Sequence, residues 1–345
     1  MLKNISKILL SIILLSSCNY SNNSIENTHY LSHNMIHIKN NYIGKGGPII
    51  LIDNKLIGID FSMDTCFYIL DTISYNLTRF GTRGQGPNEF ISPVSLEYLN
   101  NTTFGSYDIM SKKYNEIKLL SNSNFKVEKF PKTPEHSLSF RSIKIDNNKF
   151  IQLGPYSQNM YLVTDSLGRK LNSIHEFPYK NMDEKRIKNK LRAMAYQGKI
   201  LSNPSKDKMI YTSSVGNIIH FYEIKDNNLN ILKKIETAYP DYITEEKGNG
   251  FGAPLKPTNI ISYIHAYATD HFAYFLYSGK TIEEFINEKS MYYGDNLFVY
   301  DWKGNLVKNI KLDIPCQYFC ISNDDKKMWA ITENPDPNII MFDIP

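Results

Sequence analysis

Apolar and polar positions alternate along most of this chain in short stretches centred on turn-forming residues. The clearest are YILDTISYNLTRF (68–80), YDIMSKKYNEIKLL (107–120), YLVTDSLGRKLNSI (161–174), FYEIKDNNLNILKKI (221–235) and LFVYDWKGNLVKNIKL (297–312). A period of two on either side of an Asp, Asn, Gly or Lys centre predicts a β-hairpin. Shorter hairpins precede these, in PIILIDNKLIGID, SIKIDNNKFIQLG, NPSKDKMIYTSS and CISNDDKKMWAIT. Taken in order, the units predict six sheets, over residues 48–80, 93–130, 139–178, 198–236, 258–312 and 315–345. A four-stranded sheet cannot cover both of its own faces, and stacking such sheets around an axis does so while leaving only short edges. The expected fold is therefore all-β: a six-bladed β-propeller with short helical insertions. The segment MIHIKN (35–40) is the expected outer strand that closes the ring beside the last blade.

Two stretches break the rhythm. NMDEKRIKNKLRAMAYQ (181–197) has high helix propensity, with Asn181 as the N-cap and Gly198 as the stop. TIEEFINEK (281–289) carries the capping box Thr281-x-x-Glu284 and predicts a short helix inside the fifth blade. Both are expected to decorate one rim of the disc.

The amino terminus changes the picture from fold to address. Lys3 and Lys7 precede the apolar run Ile8 to Leu15, which is too short to cross a ~30 Å hydrocarbon layer as a helix. It reads as a secretory signal over residues 1–17. Leu15-Ser16-Ser17-Cys18 resembles the lipobox of bacterial lipoproteins, which implies that Cys18 becomes the acylated first residue. Residues 18–30 are then the lipidated cysteine and a polar tether, and 31–345 the propeller. Several acyl chains, at ~0.8 kcal/mol per buried CH₂, anchor a protein firmly where one does not.

Removing the signal takes away two lysines, so the formal charge falls from +4 to +2. A nearly neutral surface lacks the basic footprint that nucleic acid requires. The expected partners are the membrane, through the lipid anchor, and an envelope protein, a peptide or a glycan. Without an early acidic cluster after Cys18, the periplasmic face of the outer membrane is favoured over the cell surface. Three cysteines remain: Cys66, Cys316 and Cys320. Buried, unreactive thiols are expected, with a bridge from Cys66 to the carboxyl-terminal pair as the alternative if the first and last blades adjoin.

The loop FGTRGQGPNEF (80–90) does not have the Gly-x-Gly-x-x-Gly spacing of a dinucleotide loop or the Gly-Lys-Ser/Thr ending of a P-loop, and a strand follows it, not a helix. It predicts a corner in which Gly81, Gly84 and Gly86 allow positive φ, Pro87 fixes the exit direction and Asn88 tolerates the left-handed region. It is similar to one turn of an NHL repeat. Together with Asn203 to Lys208, LYSGK (276–280) and ENPDPNIIMFDI near the end, this loop resembles the TolB-like six-bladed propeller lipoproteins of bacterial envelopes over nearly all of the mature chain. That resemblance implies the fold and the address and adds little about chemistry.

In propellers of this kind such loops open on the ligand face. This makes Arg83, Gln85, Asn88 and Glu89 candidate ligand-binding residues, with an Arg83–Glu89 pair as the purely architectural alternative. Arg141, His265 and Tyr267 lie near expected starts of inner strands and are candidates for the channel. SNDDKKMW (322–329) partly matches an Asp-box and reads as a surface turn, with Lys326 where the glycine belongs. His29, His33 and His37 stand four apart, a spacing that would suit a metal on a helix, but on the closing strand expected here neighbours are about 13 Å apart at ~3.3 Å per residue, too far for one metal. No Gly-x-Ser-x-Gly elbow or His-Glu-x-x-His motif occurs. The expected function is non-catalytic binding through one face of the disc, with no cofactor. The alternative is a metal-dependent hydrolase or lactonase with one divalent cation in the channel, held by converging oxygen and nitrogen donors.

Overall fold

The computed structural model describes residues 28–121, 124–130, 138–248, 250–290, 292–333 and 336–345. The signal sequence and Cys18 lie outside the described residues. Six blades, each a meander of adjacent antiparallel strands, follow one another along the chain. Blade 1 runs from Gly46–Ile52 to Leu77–Thr82, blade 2 from Glu97–Asn100 to Asn124–Lys129, and blade 3 from Arg141–Lys144 to Lys170–Ile174. Blade 4 runs from Gly198–Ser202 to Asn228–Ala238, blade 5 from Tyr263–Ala268 to Leu306–Cys316, and blade 6 from Tyr318–Ile321 to Asn338–Asp343. The first strand of each blade is the innermost. These strands neighbour one another around the axis, except between blades 2 and 3, where the second strand of blade 2 makes the contact.

Large rings fill the wedges between blades, because the gap between two stacked sheets widens outward and a methyl-sized side chain cannot span it. Phe67 of blade 1 stacks on Phe80 at 5.4 Å and meets Phe90 edge-on at 4.9 Å and Phe104 of blade 2 at 5.7 Å. Tyr161 of blade 3 meets Tyr222 of blade 4 edge-on at 5.8 Å. Phe221 of blade 4 faces Phe275 and Tyr300 of blade 5 at 6.3 and 6.0 Å.

The closing strand is found on the last blade, but it is shorter than expected. Asn34–Met35 pairs antiparallel with Asn338–Asp343, in the register Asn34↔Met341, and the Ile36 amide donates to the Ile339 carbonyl at 3.2 Å. Past Ile36 the chain leaves blade 6 for blade 1. There the Lys39 amide donates to the Tyr75 carbonyl at 3.1 Å, and the Asn40 side chain accepts from the Leu77 amide at 2.8 Å. On its other side, Thr28–Leu31 lies parallel to Leu306–Cys316 as a fifth strand on blade 5. Residues 28 to 30, expected in the tether, therefore belong to the sheet. The whole segment forms a belt over the rims of blades 5, 6 and 1.

The insertion at 181–197 is two helices, Met182–Lys185 and Asn189–Ala195, not one. Asn181 caps the first as expected, its side chain accepting from the Glu184 amide at 3.0 Å. The break arises because buried Asn189 docks on blade 3. Its amide side chain accepts from Phe177 N and donates to the carbonyls of Tyr156 and Asn159, each at 2.9 Å. Gly198 opens the inner strand of blade 4, where a Cβ would stand 2.0 Å from the Thr212 carbonyl oxygen. The second insertion is the helix Ile282–Glu288, with both halves of the Thr281/Glu284 capping box formed. A hairpin of Glu245–Lys247 and Gly250–Gly252, which the sequence pattern did not signal, stands outside the blades. Cys66, Cys316 and Cys320 are free and buried. Burial pushes the Cys66 thiol up to about 11 and the other two higher still, so none is poised as a nucleophile.

Candidate binding site in the axial channel

The inner strands enclose two adjoining cavities along the axis. One, of about 280 Å³, occupies the end where these strands begin and is lined by Arg141, Lys199, Ile264, His265, Gln317 and Tyr318 among others. The other, of about 60 Å³, lies deeper and shares Arg141 and His265 with the first. Arg141 opens the inner strand of blade 3, Lys199 follows the first residue of blade 4, and Gln317 precedes the first of blade 6. Their common position explains why they meet. Each sits where the chain dives from an outer strand to the axis.

Both cations at this mouth lack a carboxylate partner among the described residues. The Arg141 guanidinium donates to its neighbour's carbonyl, Phe140 O, at 2.7 Å. Lys199 Nζ reaches only the Tyr263 carbonyl, at 3.4 Å. Burial, and then the Arg141 charge, lower the Lys199 ammonium to about 7. Burial also lowers Arg141. His265 is held down to about 3 by burial and then by Lys199, so its ring is neutral. Its Nδ1 accepts from the Phe319 amide at 3.4 Å, which places the ring proton on Nε2 as a donor. Gln317 is 6% exposed, and its side-chain amide has no hydrogen-bond partner among the described residues.

The deeper end is bolted. Glu97 of blade 2 accepts from Ser202 Oγ at 3.2 Å and from Lys206 Nζ at 2.5 Å, both on blade 4. Its other oxygen accepts from the Lys144 amide of blade 3 at 3.0 Å and from the Tyr114 hydroxyl. One carboxylate thus ties three blades across the channel floor and is fully committed there.

Of the candidates read from sequence, the structure brings Arg141, His265 and Tyr267 to the channel, Tyr267 in the deeper cavity only. Arg83, Gln85, Asn88 and Glu89 line neither cavity. The Arg83 guanidinium donates to the carbonyls of Met63, Ile91 and Asp60 at 3.4, 3.0 and 3.3 Å. Glu89 accepts from the Gly86 amide at 2.7 Å instead of pairing with Arg83, and Lys129 Nζ ties the carbonyls of Gly86 and Glu89 from blade 2. Gln85 and Asn88 are exposed. The loop is a corner, as expected, and of the three glycines Gly81 uses the freedom of positive φ, at 75°. Gly84 and Gly86 serve space instead: a Cβ on either would stand 2.2 or 2.9 Å from the Glu89 carboxylate. Lys199, Gln317, Tyr318 and Glu97 were not singled out from sequence. The available signal was their position at the starts of inner strands.

The remaining motifs resolve into turns and surface contacts. In the Asp-box-like segment, Ser322 Oγ donates to Asp324 and accepts from the Lys327 amide at 2.9 Å, forming a tight hairpin turn. His33 pairs with Asp313 at 3.0 Å and shares no site with His29 or His37. Among the described residues, no group of three or more His, Cys, Asp or Glu side chains converges as a metal ion would require. A divalent cation in the mouth would also face Arg141 and Lys199, so the lining does not fit one.

Two solved structures share the architecture. An exported protein of Bacteroides fragilis matches with a TM-score of 0.52 at 14% identity, covering 90% of this chain and 94% of that one. A member of the DUF4221 family from Bacteroides vulgatus matches with a TM-score of 0.53 at 8% identity, covering 92% and 96% respectively. At these identities the likeness carries the fold alone. No curated protein matches the chain. Residues 26–324 match the TolB-like 6-blade propeller-like family, and with six blades in the predicted order the chain belongs to that family.

Proposed function

We propose that this chain is a non-catalytic binding protein, lipid-anchored through Cys18 to the outer membrane on its periplasmic face, whose ligand enters the mouth of the axial channel. One observation carries the reading: Arg141 and Lys199, neither paired with a carboxylate among the described residues, line one cavity of about 280 Å³, which the amide-bearing Gln317 also lines. Cations without a counter-charge and a polar side chain at the mouth of a concave, largely apolar cavity are the usual makings of a ligand site. A peptide, a glycan or a partner protein would present one group to the mouth. The exported relative and the lipobox-like residues at 15–18 support the address.

Two measurements test the two halves of this reading. Intact-mass analysis of the native protein is expected to show an amino terminus at Cys18 carrying a diacylglyceryl group, and Cys18→Ser is expected to release the chain from the membrane. Protein purified from its native envelope and then denatured is expected to liberate a bound molecule detectable by mass spectrometry, and Ile264→Trp, which fills the mouth, is expected to lose it. Equal content in both proteins would show that the channel is not the binding site.

A further inference from the structure

Resting on the channel as the binding site, we propose that its mouth takes an organic anion, with a carboxylate or phosphate head held between Arg141 and Lys199 and an apolar body against the aliphatic wall. Both residues are positively charged donors from adjacent blades, directed into one cavity. No aspartate or glutamate lines that cavity. Both side chains are half-buried, and an ammonium or guanidinium partly withdrawn from water without a counter-charge is costly, a cost that an anionic ligand would offset. The fork of Arg141 suits the planar or tetrahedral oxygens of such a head, and Lys199 adds a point charge.

The neutral groups are arranged to complete the shell. His265 offers its Nε2 proton, and the Gln317 amide is uncommitted. Val94, Ile261 and Ile264 form the apolar side of the mouth, where a polar body would lose its hydration without replacement.

Lys199 makes this binding sensitive to pH. The charged, titratable or amide groups that share its cavity are Arg141 from blade 3, His265 and Tyr292 from blade 5 and its insertion, and Gln317 and Tyr318 from blade 6. None is a carboxylate, so nothing in the lining holds the proton on Lys199. In the empty protein it leaves near pH 7. A bound anion favours the charged lysine, so binding takes up a proton and weakens as the medium becomes alkaline.

The test is calorimetric titration of the full-length protein in a non-ionic maltoside with phenylacetate, phenyl phosphate, inorganic phosphate and the neutral phenylacetamide. Phenylacetate or phenyl phosphate is expected to bind, and the stronger of the two identifies the head group. Arg141→Gln and Lys199→Met are each expected to weaken binding at least tenfold. Affinity is expected to fall at least fivefold from pH 6.5 to pH 9, and Lys199→Arg, which stays charged, is expected to bind with that pH dependence removed. Unliganded Lys199→Met is expected to melt no lower than the parent, whereas a lysine needed for folding would lower the melting point. Equal binding of phenylacetamide, or full affinity in Lys199→Met, would overturn the anion. If Ile264→Trp still blocked phenylacetamide, the channel itself would stand. Binding of inorganic phosphate alone, or of no probe, would also overturn an organic anion, and the molecule released from the native protein then decides the fate of the channel separately.

Discussion

Lys199 carries a cost that pH can reveal. Its ammonium titrates near 7 in the folded chain, below the ordinary 10.5, so between these values the unfolded chain holds more protons than the folded one. Stability must therefore rise with pH across that window, as the penalty for burying the charge is relieved. Lys199→Met is expected to raise Tm by at least about 3 °C at pH 6.5 and by much less at pH 9.5, measured by calorimetry. His265 works on the acid side. With a folded value of about 3 against an ordinary 6.5, it withdraws stability as pH falls through that interval. A different residue-scale constraint acts at Gly105, where a Cβ would stand 1.7 Å from the Tyr114 hydroxyl oxygen. Tyr114 bonds Glu97, the bolt of the channel floor, so Gly105→Ala disturbs both. The expected loss is about 1–3 kcal/mol in denaturant unfolding, the usual range for overpacking.

The helical insertions are held by their caps, and one of them walls the mouth. Phe285, from the helix Ile282–Glu288, packs with Val215 and Ile261, and Ile261 also lines the larger cavity. Thr281→Ala removes the hydroxyl that accepts from the Glu284 amide, leaving only the backbone half of the capping box, and is expected to cost about 1 kcal/mol. Hydrogen exchange should accelerate in the amides of that helix and not in blade 2. This element was legible in the sequence because a capping box is local chemistry, needing only four neighbouring residues. The blades were legible for a similar reason: each hairpin writes its period of two within about fifteen residues. The split after Lys185 was not, because its cause is Asn189 bonding to carbonyls of blade 3, some thirty positions earlier. Nor was the strand Thr28–Leu31. Its four residues alternate too briefly to signal, and its parallel register is chosen by Leu306–Cys316. The loop at 80–90 showed its turn but not its direction, since the lengths of two blades decide where Arg83 and Glu89 point. Arg141 and His265 could be nominated by polarity on inner strands. Lys199 escaped notice because a lysine beside a glycine reads as an ordinary turn.

At the scale of the molecule, the ring is closed by the belt, which joins blade 6 to both of its neighbours. Replacing residues 28–36 with a Gly-Ser linker of equal length is expected to lower Tm by more than about 5 °C. Limited proteolysis should then cut first within residues 318–343, where the exposed outer strand would lose its partner. A protein in which the six blades melt as before would show that sheet stacking alone holds the ring. The belt also fixes an order of events during synthesis. Its residues are made before any of the six blades, yet Met341, opposite Asn34, belongs to the last strand of blade 6. Contacts so distant in sequence form late and slowly. Until blade 6 is complete, every unfinished copy presents an open sheet edge to its neighbours, and an escort that shields that edge would be needed earlier than any ligand.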